Sequence, residues 1–298
     1  MIEENYIRSL MVTTGSKVSL KEYGTDWQRH DIKKEGKKAN REQAAAFLDA
    51  NRAALAESQE LLWASNIYSV LIVLQGMDTS GKDGTIKHVM SGANPQGCRV
   101  TSFKVPTSEE TDHNFLWRFY RALPARGEIG IFNRSYYEDV LVVRVHPEIL
   151  DRQQLPPGKR DETFWNARYE DINVFERHLV QNGTIILKFF LHISKEEQRK
   201  RLMDRLDEKE KYWKFSLSDL AERKFWDQYQ DAYEKMLAKT STEIAPWYII
   251  PADTKWTARC LIADIISTTI GSLDLRYPEM PPETLERLDE ARRQLTFG

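Results

Sequence analysis

Cysteine is nearly absent from this chain: Cys98 and Cys260 are the only two in 298 residues. Two distant thiols build no disulfide framework, and no Cys-x-x-Cys or Cys/His spacing marks a zinc site. That usage suits a reducing compartment, so a cytoplasmic protein is expected. Long apolar runs are lacking too. No stretch approaches the ~20 residues that a bilayer-spanning helix needs. The acidic start, MIEENYIRSL, has neither the basic nor the apolar region of a signal peptide. An excess of one charge is also missing, since 43 Lys and Arg stand against 45 Asp and Glu, for a net charge of −2. Nothing in the total therefore suggests a nucleic-acid or membrane partner, and any anion site must arise from local clustering. Internal repeats and low-complexity tracts are absent. With 41% hydrophobic residues the composition argues against disorder, and the length suffices for one α/β domain with additions.

Residues 1–40 are polar and charged, with KKEGKK at 33–38, and read as an irregular N-terminal arm lying on the body or on another subunit. Residues 41–65 carry Leu48, Leu55 and Leu62 at helical spacing. Five β-rich runs follow, at 69–74, 99–105, 128–132, 184–191 and 247–250. Helical patterns alternate with them near 82–91, 108–122, 161–181, 195–207, 217–239 and 256–270. This alternation predicts a five-stranded parallel sheet flanked by helices, an α/β fold. In the 161–181 segment, Trp165, Tyr169, Ile172 and Leu179 form a core stripe rather than a cofactor box. The catalytic domain is expected over 41–275, and 276–298 reads as a proline-rich turn and a charged tail helix.

The segment LIVLQGMDTSGKDGTIKHVM runs from an apolar strand through a glycine-rich turn into a helix. Gly76, Gly81 and Lys82 fit G-x-x-x-x-G-K, a loop whose backbone N–H groups wrap phosphate oxygens while the lysine adds charge. Met77, Thr79, Ser80 and Gly84 complete the candidate phosphate-binding turn. Asp83 departs from the pattern, because a Ser or Thr normally follows the lysine. An acid there either favours the helix dipole or helps hold a metal. Asp78 lies inside an anion-binding loop, where a carboxylate repels phosphate unless a metal or acceptor group accompanies it; a turn-forming Asp is the alternative.

A second constellation follows the third strand. Polar residues at the carboxyl ends of strands face the ligand crevice of an open α/β sheet. Asn133 sits where a metal-holding Asp is common, Arg134 offers a planar fork for phosphate oxygens, and Glu138 supplies negative charge. Arg118 and Arg121 form either a solvated face or a clamp on an acceptor phosphate. Arg201 and Arg205 share one face of a charged segment that Lys209, Lys211 and Lys214 follow, which fits a helical lid over about 195–230. The bland reading of Arg201 is a surface ion pair with Glu197.

Together GMDTSGKDGTIKHVM, NPQG, SFKVPT, GEIGIFNRSYYEDVLV, LKFFLHISKEEQRKRL, YWKFS and STEIAPWYIIPAD resemble the family-2 polyphosphate kinases, over roughly residues 40–275. The resemblance implies a P-loop kinase fold similar to thymidylate kinase. It implies phosphoryl transfer between inorganic polyphosphate and AMP, ADP or ATP, with guanine nucleotides as further candidates, and Mg²⁺ or Mn²⁺ as cofactor. It places the family's loop Asp and Lys on Asp78 and Lys82, its second-motif Arg on Arg134, and its lid arginines on Arg201 and Arg205. Metal is then expected at Asp78, Asn133 and Glu138. Asn133 with Tyr137, Glu138 and Asp139 is similar to the class III branch, which phosphorylates both AMP and ADP, although Tyr136 stands where that branch commonly has His. A homo-oligomer, dimer or tetramer, is expected by the same resemblance. Two other readings stay open: an ATP-dependent nucleoside or nucleotide kinase, against which the missing Ser/Thr counts, and a non-catalytic polyphosphate-binding protein.

Overall fold

A computed structural model describes residues 2–26 and 32–297. Its centre is β1 (Ser69–Gln75), seven residues buried without exception. A strand covered on both faces needs no alternation, so the run SVLIVLQ is apolar almost throughout. The other strands are β2 (Cys98–Ser102), β3 (Ile129–Asn133), β4 (Thr184–His192) and β5 (Trp247–Pro251). All pair in parallel, in the order β2-β3-β1-β4-β5. The expected α/β sheet is therefore present, each strand within a few residues of its predicted place. β2 is shorter than the 99–105 run, because it is an edge strand with little covered surface.

Helices cover the sheet in two groups. Helix α1 (Ile32–Ser65) packs along α7 (Lys255–Gly271), which also touches α2 (Lys82–Val89) and β5. In the other group, α3 (Glu162–Gln181) packs on β4 and on α6 (Trp226–Thr240). Between β4 and α6 lie the lid elements α4 (Lys195–Asp207), the 3-10 turn Lys209–Lys214, and α5 (Leu217–Arg223).

Three expected helices are corrected. α1 begins at Ile32 rather than at 41, since one glycine among Lys, Glu and Ala lowers helix stability by only about 1 kcal/mol. The 108–122 helix is two short ones, Ser108–Thr111 and Trp117–Tyr120; between them the Asn114 side chain accepts from Leu116 N at 3.0 Å, closing a turn. The 217–239 helix breaks after Arg223. The arm, where described, lies on the body and is not irregular throughout. Glu4–Ser9 is helical, Ile2, Leu10, Val12 and Leu20 are buried, and Met11 bridges Tyr248 antiparallel at the β5 edge. Residues 27–31 of the arm lie outside the described residues. The tail is two short helices, Pro282–Glu286 and Leu288–Phe297. Among the described residues no helix is long and apolar enough to cross a membrane.

Leu62 is fully buried on α1. Leu62→Ala is expected to destabilise the fold by about 2–5 kcal/mol, read from the chemical-denaturation midpoint.

Candidate phosphate-handling site

The order of the sheet puts β1 between β3 and β4, so the loops leaving β1 and β3 meet at the carboxyl edge. The loop after β1 is shaped by its glycines. Gly76 has φ +150°, and a Cβ there would lie 2.8 Å from both Leu191 O and Ser80 Oγ. Gly81, at φ +107°, starts α2. Both conformations suit glycine alone. Thr79 is left-handed at φ +66°, and the Thr79 and Ser80 hydroxyls are buried without a hydrogen-bond partner among the described residues.

Lys82 folds back under this loop. Its Nζ donates to Gly76 O at 2.6 Å and to Met77 O at 3.3 Å. Burial, and next the Arg134 guanidinium, push its pKa down to about 8, against the pull of Asp78, Glu138 and Asp83. Asp83 accepts from Asn133 Nδ2 at 2.6 Å, and the same amide reaches Ser102 Oγ at 3.3 Å. Thus the residue that replaces Ser/Thr ties the first loop to β3.

Arg134 is left-handed as well, at φ +64°, with its N–H on Leu74 O at 3.1 Å. Its guanidinium lies 2.7 Å from Asp78 and 3.6 Å from Glu138. Glu138, the larger influence, and Asp78 hold it firmly protonated against burial. So Asp78, Lys82, Asp83, Asn133, Arg134 and Glu138 come together as the motifs implied.

The lid arginines differ from each other. Arg201 is buried and every guanidinium N–H is engaged: Nε on Glu197 at 2.7 Å, Nη1 on Thr79 O and Ser80 O, Nη2 on Ala252 O and Asp253 O. It is a strut joining the base of α4 to two site loops. The expected pair with Glu197 forms, but with the guanidinium buried rather than at the surface. Arg205, one turn on, bonds Lys214 O at 2.9 Å and Asp219 at 2.7 Å through Nη1 and lines the open cleft. Arg118 and Arg121 are not among the cleft's lining residues. Arg118 stacks 5.1 Å over Phe103 and donates to Lys104 O, and Arg121 lies 4.7 Å over Trp117. Each is also paired with an acid, Arg118 with Glu110 at 3.4 Å and Arg121 with Glu109 at 3.8 Å.

The cleft has a volume of about 430 Å³. Besides Lys211 and Lys214 of the expected lid, its walls include Lys87, Lys255 and Arg259. Lys255 and Arg259 went unrecognised in the sequence. Their signal is two cations four apart at the start of a helix that is otherwise apolar, directly after a strand. Burial lowers the pKa of both, and neighbouring cations add to it: Arg201 beside Lys255, Arg52 beside Arg259. Acidic lining residues are fewer, namely Asp78, Asp83 and Asp204. Such a wall concentrates anions despite the negative total charge.

No group of three or more His, Cys, Asp or Glu able to hold a metal exists among the described residues. Mg²⁺, however, keeps several waters and takes one or two carboxylates plus substrate phosphates. Asp78 and Glu138, converging on Arg134 beside the loop, fit such a substrate-borne cation.

The family described as Polyphosphate kinase 2 (PPK2) matches residues 37–278. An ADP-polyphosphate phosphotransferase of Rhodopseudomonas palustris is 54% identical over 81% of this chain and 84% of its own. An AMP/ADP-polyphosphate phosphotransferase of Meiothermus ruber is 51% identical over 77% and 81%. The crystal structure of Polyphosphate Kinase 2 from Arthrobacter aurescens TC1 superposes with a TM-score of 0.82 at 41% identity, covering 95% of each chain.

The lowered pKa of Lys82 has a signed consequence. Between about 8 and the ordinary 10.5, the unfolded chain binds a proton that folded Lys82 has released. Stability gained from this residue therefore rises with pH across that window, while binding of a phosphate anion weakens as the ammonium is lost. Tripolyphosphate affinity, measured by calorimetry from pH 7 to 9.5, should fall through about 8, and Lys82→Met should remove that limb.

Proposed function

The chain belongs to the polyphosphate kinase 2 family, and from that premise we propose that it moves the terminal phosphoryl group of inorganic polyphosphate reversibly to AMP and ADP, forming ADP and ATP. Guanine nucleotides as further acceptors, and a homo-oligomeric, cytoplasmic enzyme, belong to the same reading. They rest on the resemblance and on the cysteine usage alone. The observation that carries the reading is the buried Lys82 ammonium under a glycine loop, at the floor of a cleft walled by cations and carrying Asp83 in place of the usual hydroxyl.

Each residue then has a task. Loop N–H groups and the unpartnered Thr79 and Ser80 hydroxyls receive oxygens of the terminal phosphate. Lys82 and Arg134 face the charge that spreads over the transferring group. The remaining donor chain lies along Lys87, Lys211, Lys214, Lys255 and Arg259. An oxygen of the acceptor's terminal phosphate forms the new bond to phosphorus, and the bridging P–O bond of polyphosphate breaks. The electron pair leaves on the shortened chain. The nucleophile is already an anion, so no general base is required, and catalysis is positioning and charge neutralisation. A divalent cation, Mg²⁺ or Mn²⁺, would be held by Asp78 and Glu138, with Asn133 nearby, and would supply neutralisation between donor and acceptor phosphates. Asp78 is otherwise paired with Arg134, which keeps it oriented. Arg205 would close over the transferring group, whereas Arg201 keeps the loop beneath it in shape.

Two tests follow. With long-chain polyphosphate, Mg²⁺ and AMP, a time course should show ADP and then ATP. Lys82→Ala should lower kcat by roughly 10²-fold or more, with the fold retained by circular dichroism. A variant with wild-type turnover would remove Lys82 from the chemistry. Arg259→Ala should raise KM for polyphosphate several-fold and flatten its salt dependence, with little change in KM for the nucleotide. An unchanged polyphosphate KM would place the donor chain elsewhere.

A further inference from the structure

The turn after β3 divides its side chains between two environments. Arg134 lines the cleft with Glu138 paired beside it, while Tyr136 and Tyr137, between them in sequence, are fully buried. Both tyrosine hydroxyls donate to one oxygen of Glu176 on α3, Tyr136 at 2.8 Å and Tyr137 at 2.6 Å. The other oxygen of Glu176 accepts from Lys188 of β4 at 2.7 Å. Lys188 completes its three donor positions with Tyr137 Oη at 3.0 Å and Thr240 O at 2.6 Å. Neither Glu176 nor Lys188 is more than 1% exposed.

An ion pair this deep adds little stability compared with apolar side chains of the same volume, because both charges lose their water. Its hydrogen bonds do something that packing alone does not, which is to fix direction. The rings could be buried by Phe. Two hydroxyls converging on one carboxylate oxygen also fix how far the turn sits from α3. The turn needs such anchoring, because Arg134 is held at φ +64°, a conformation that persists only when its surroundings over-determine it. Leu74 O holds the turn from the side of β1, and Ser135 Oγ takes a bond from Gln75 at 3.2 Å. The Tyr–Glu–Lys network holds it from below.

We propose that Glu176, anchored by Lys188 and gripping Tyr136 and Tyr137, is a positioning residue for phosphoryl transfer: it sets where Arg134 and Glu138 meet the reacting phosphates without touching them. The inference rests on the reading that the turn at 133–138 belongs to the transfer site. It assigns the network to the transition state rather than to donor binding, since the glycine loop and the basic wall do not depend on it.

The double variant Tyr136→Phe/Tyr137→Phe keeps both rings and deletes both grips. Assayed well below its melting temperature, it should lose at least tenfold in kcat while KM for polyphosphate stays within twofold. Ile172→Val, a buried change on α3 with no polar partner, serves as the control and should keep wild-type kcat. A double variant with wild-type kcat overturns the proposal. So does an equal loss of kcat in the Ile172 control at matched stability, since the network would then act only through the fold. If the double variant does not fold, Tyr136→Phe alone decides by the same readout. Arg134→Ala separates the two levels. If it retains full turnover, the underlying reading of the turn fails; if it is inactive while the tyrosine variants are not, only the present inference fails.

Discussion

An ammonium group with almost no water around it is the constraint from which the site follows. Lys82 Nζ is held by the carbonyls of Gly76 and Met77, two dipoles rather than a carboxylate. The nearby acids are committed elsewhere: Asp78 and Glu138 to Arg134, Asp83 to Asn133. A buried cation without a full counter-charge is a strained arrangement in a low-dielectric setting. Phosphate oxygens relieve it. Further cations, Lys87, Lys255 and Arg259, line the same cleft, so a ligand with one charge per repeating unit suits it better than a single anion.

The fold delivers this arrangement through the place of β1. Flanked by β3 and β4, it ends between the turn that carries Arg134 and the strand whose Leu191 O crowds Gly76. Arg201 then joins the loop, the β5–α7 connection and the base of α4 into one frame. The base of the lid helix is thus part of the site's scaffold, and Arg205 stands one turn further out. Beneath, the buried Glu176–Lys188 pair sets the second turn against α3, so each cationic side chain at the floor is braced from a different element.

Much of this was legible in the chain because strong local signals agreed with one another. β1 announces itself as an unbroken apolar run ending in glycine, and the glycine spacing around Lys82 has one structural use. The polar cluster after β3 was found by a topological rule alone. What escaped depends on contacts between distant segments. Lys255 and Arg259 reach the cleft only because α7 starts at the same sheet edge as the loop. Arg201 looked like a lid side chain because its five acceptors come from residues up to 122 positions away. The stacking of Arg118 on Phe103 likewise cannot be read from helical spacing. The 108–122 stretch kept its stripe of apolar residues but not its helix, since Asn114 turns the chain.

The central claim is that a chain of condensed phosphates docks over Lys82 and runs along the cations of α2 and α7. A crystal structure with a short polyphosphate and Mg²⁺ tests it most directly. The account predicts the terminal phosphate within hydrogen-bond distance of Lys82 and the loop N–H groups, with successive units passing Lys87 and Arg259. Density for the polymer on another face, with the glycine loop vacant, would contradict it.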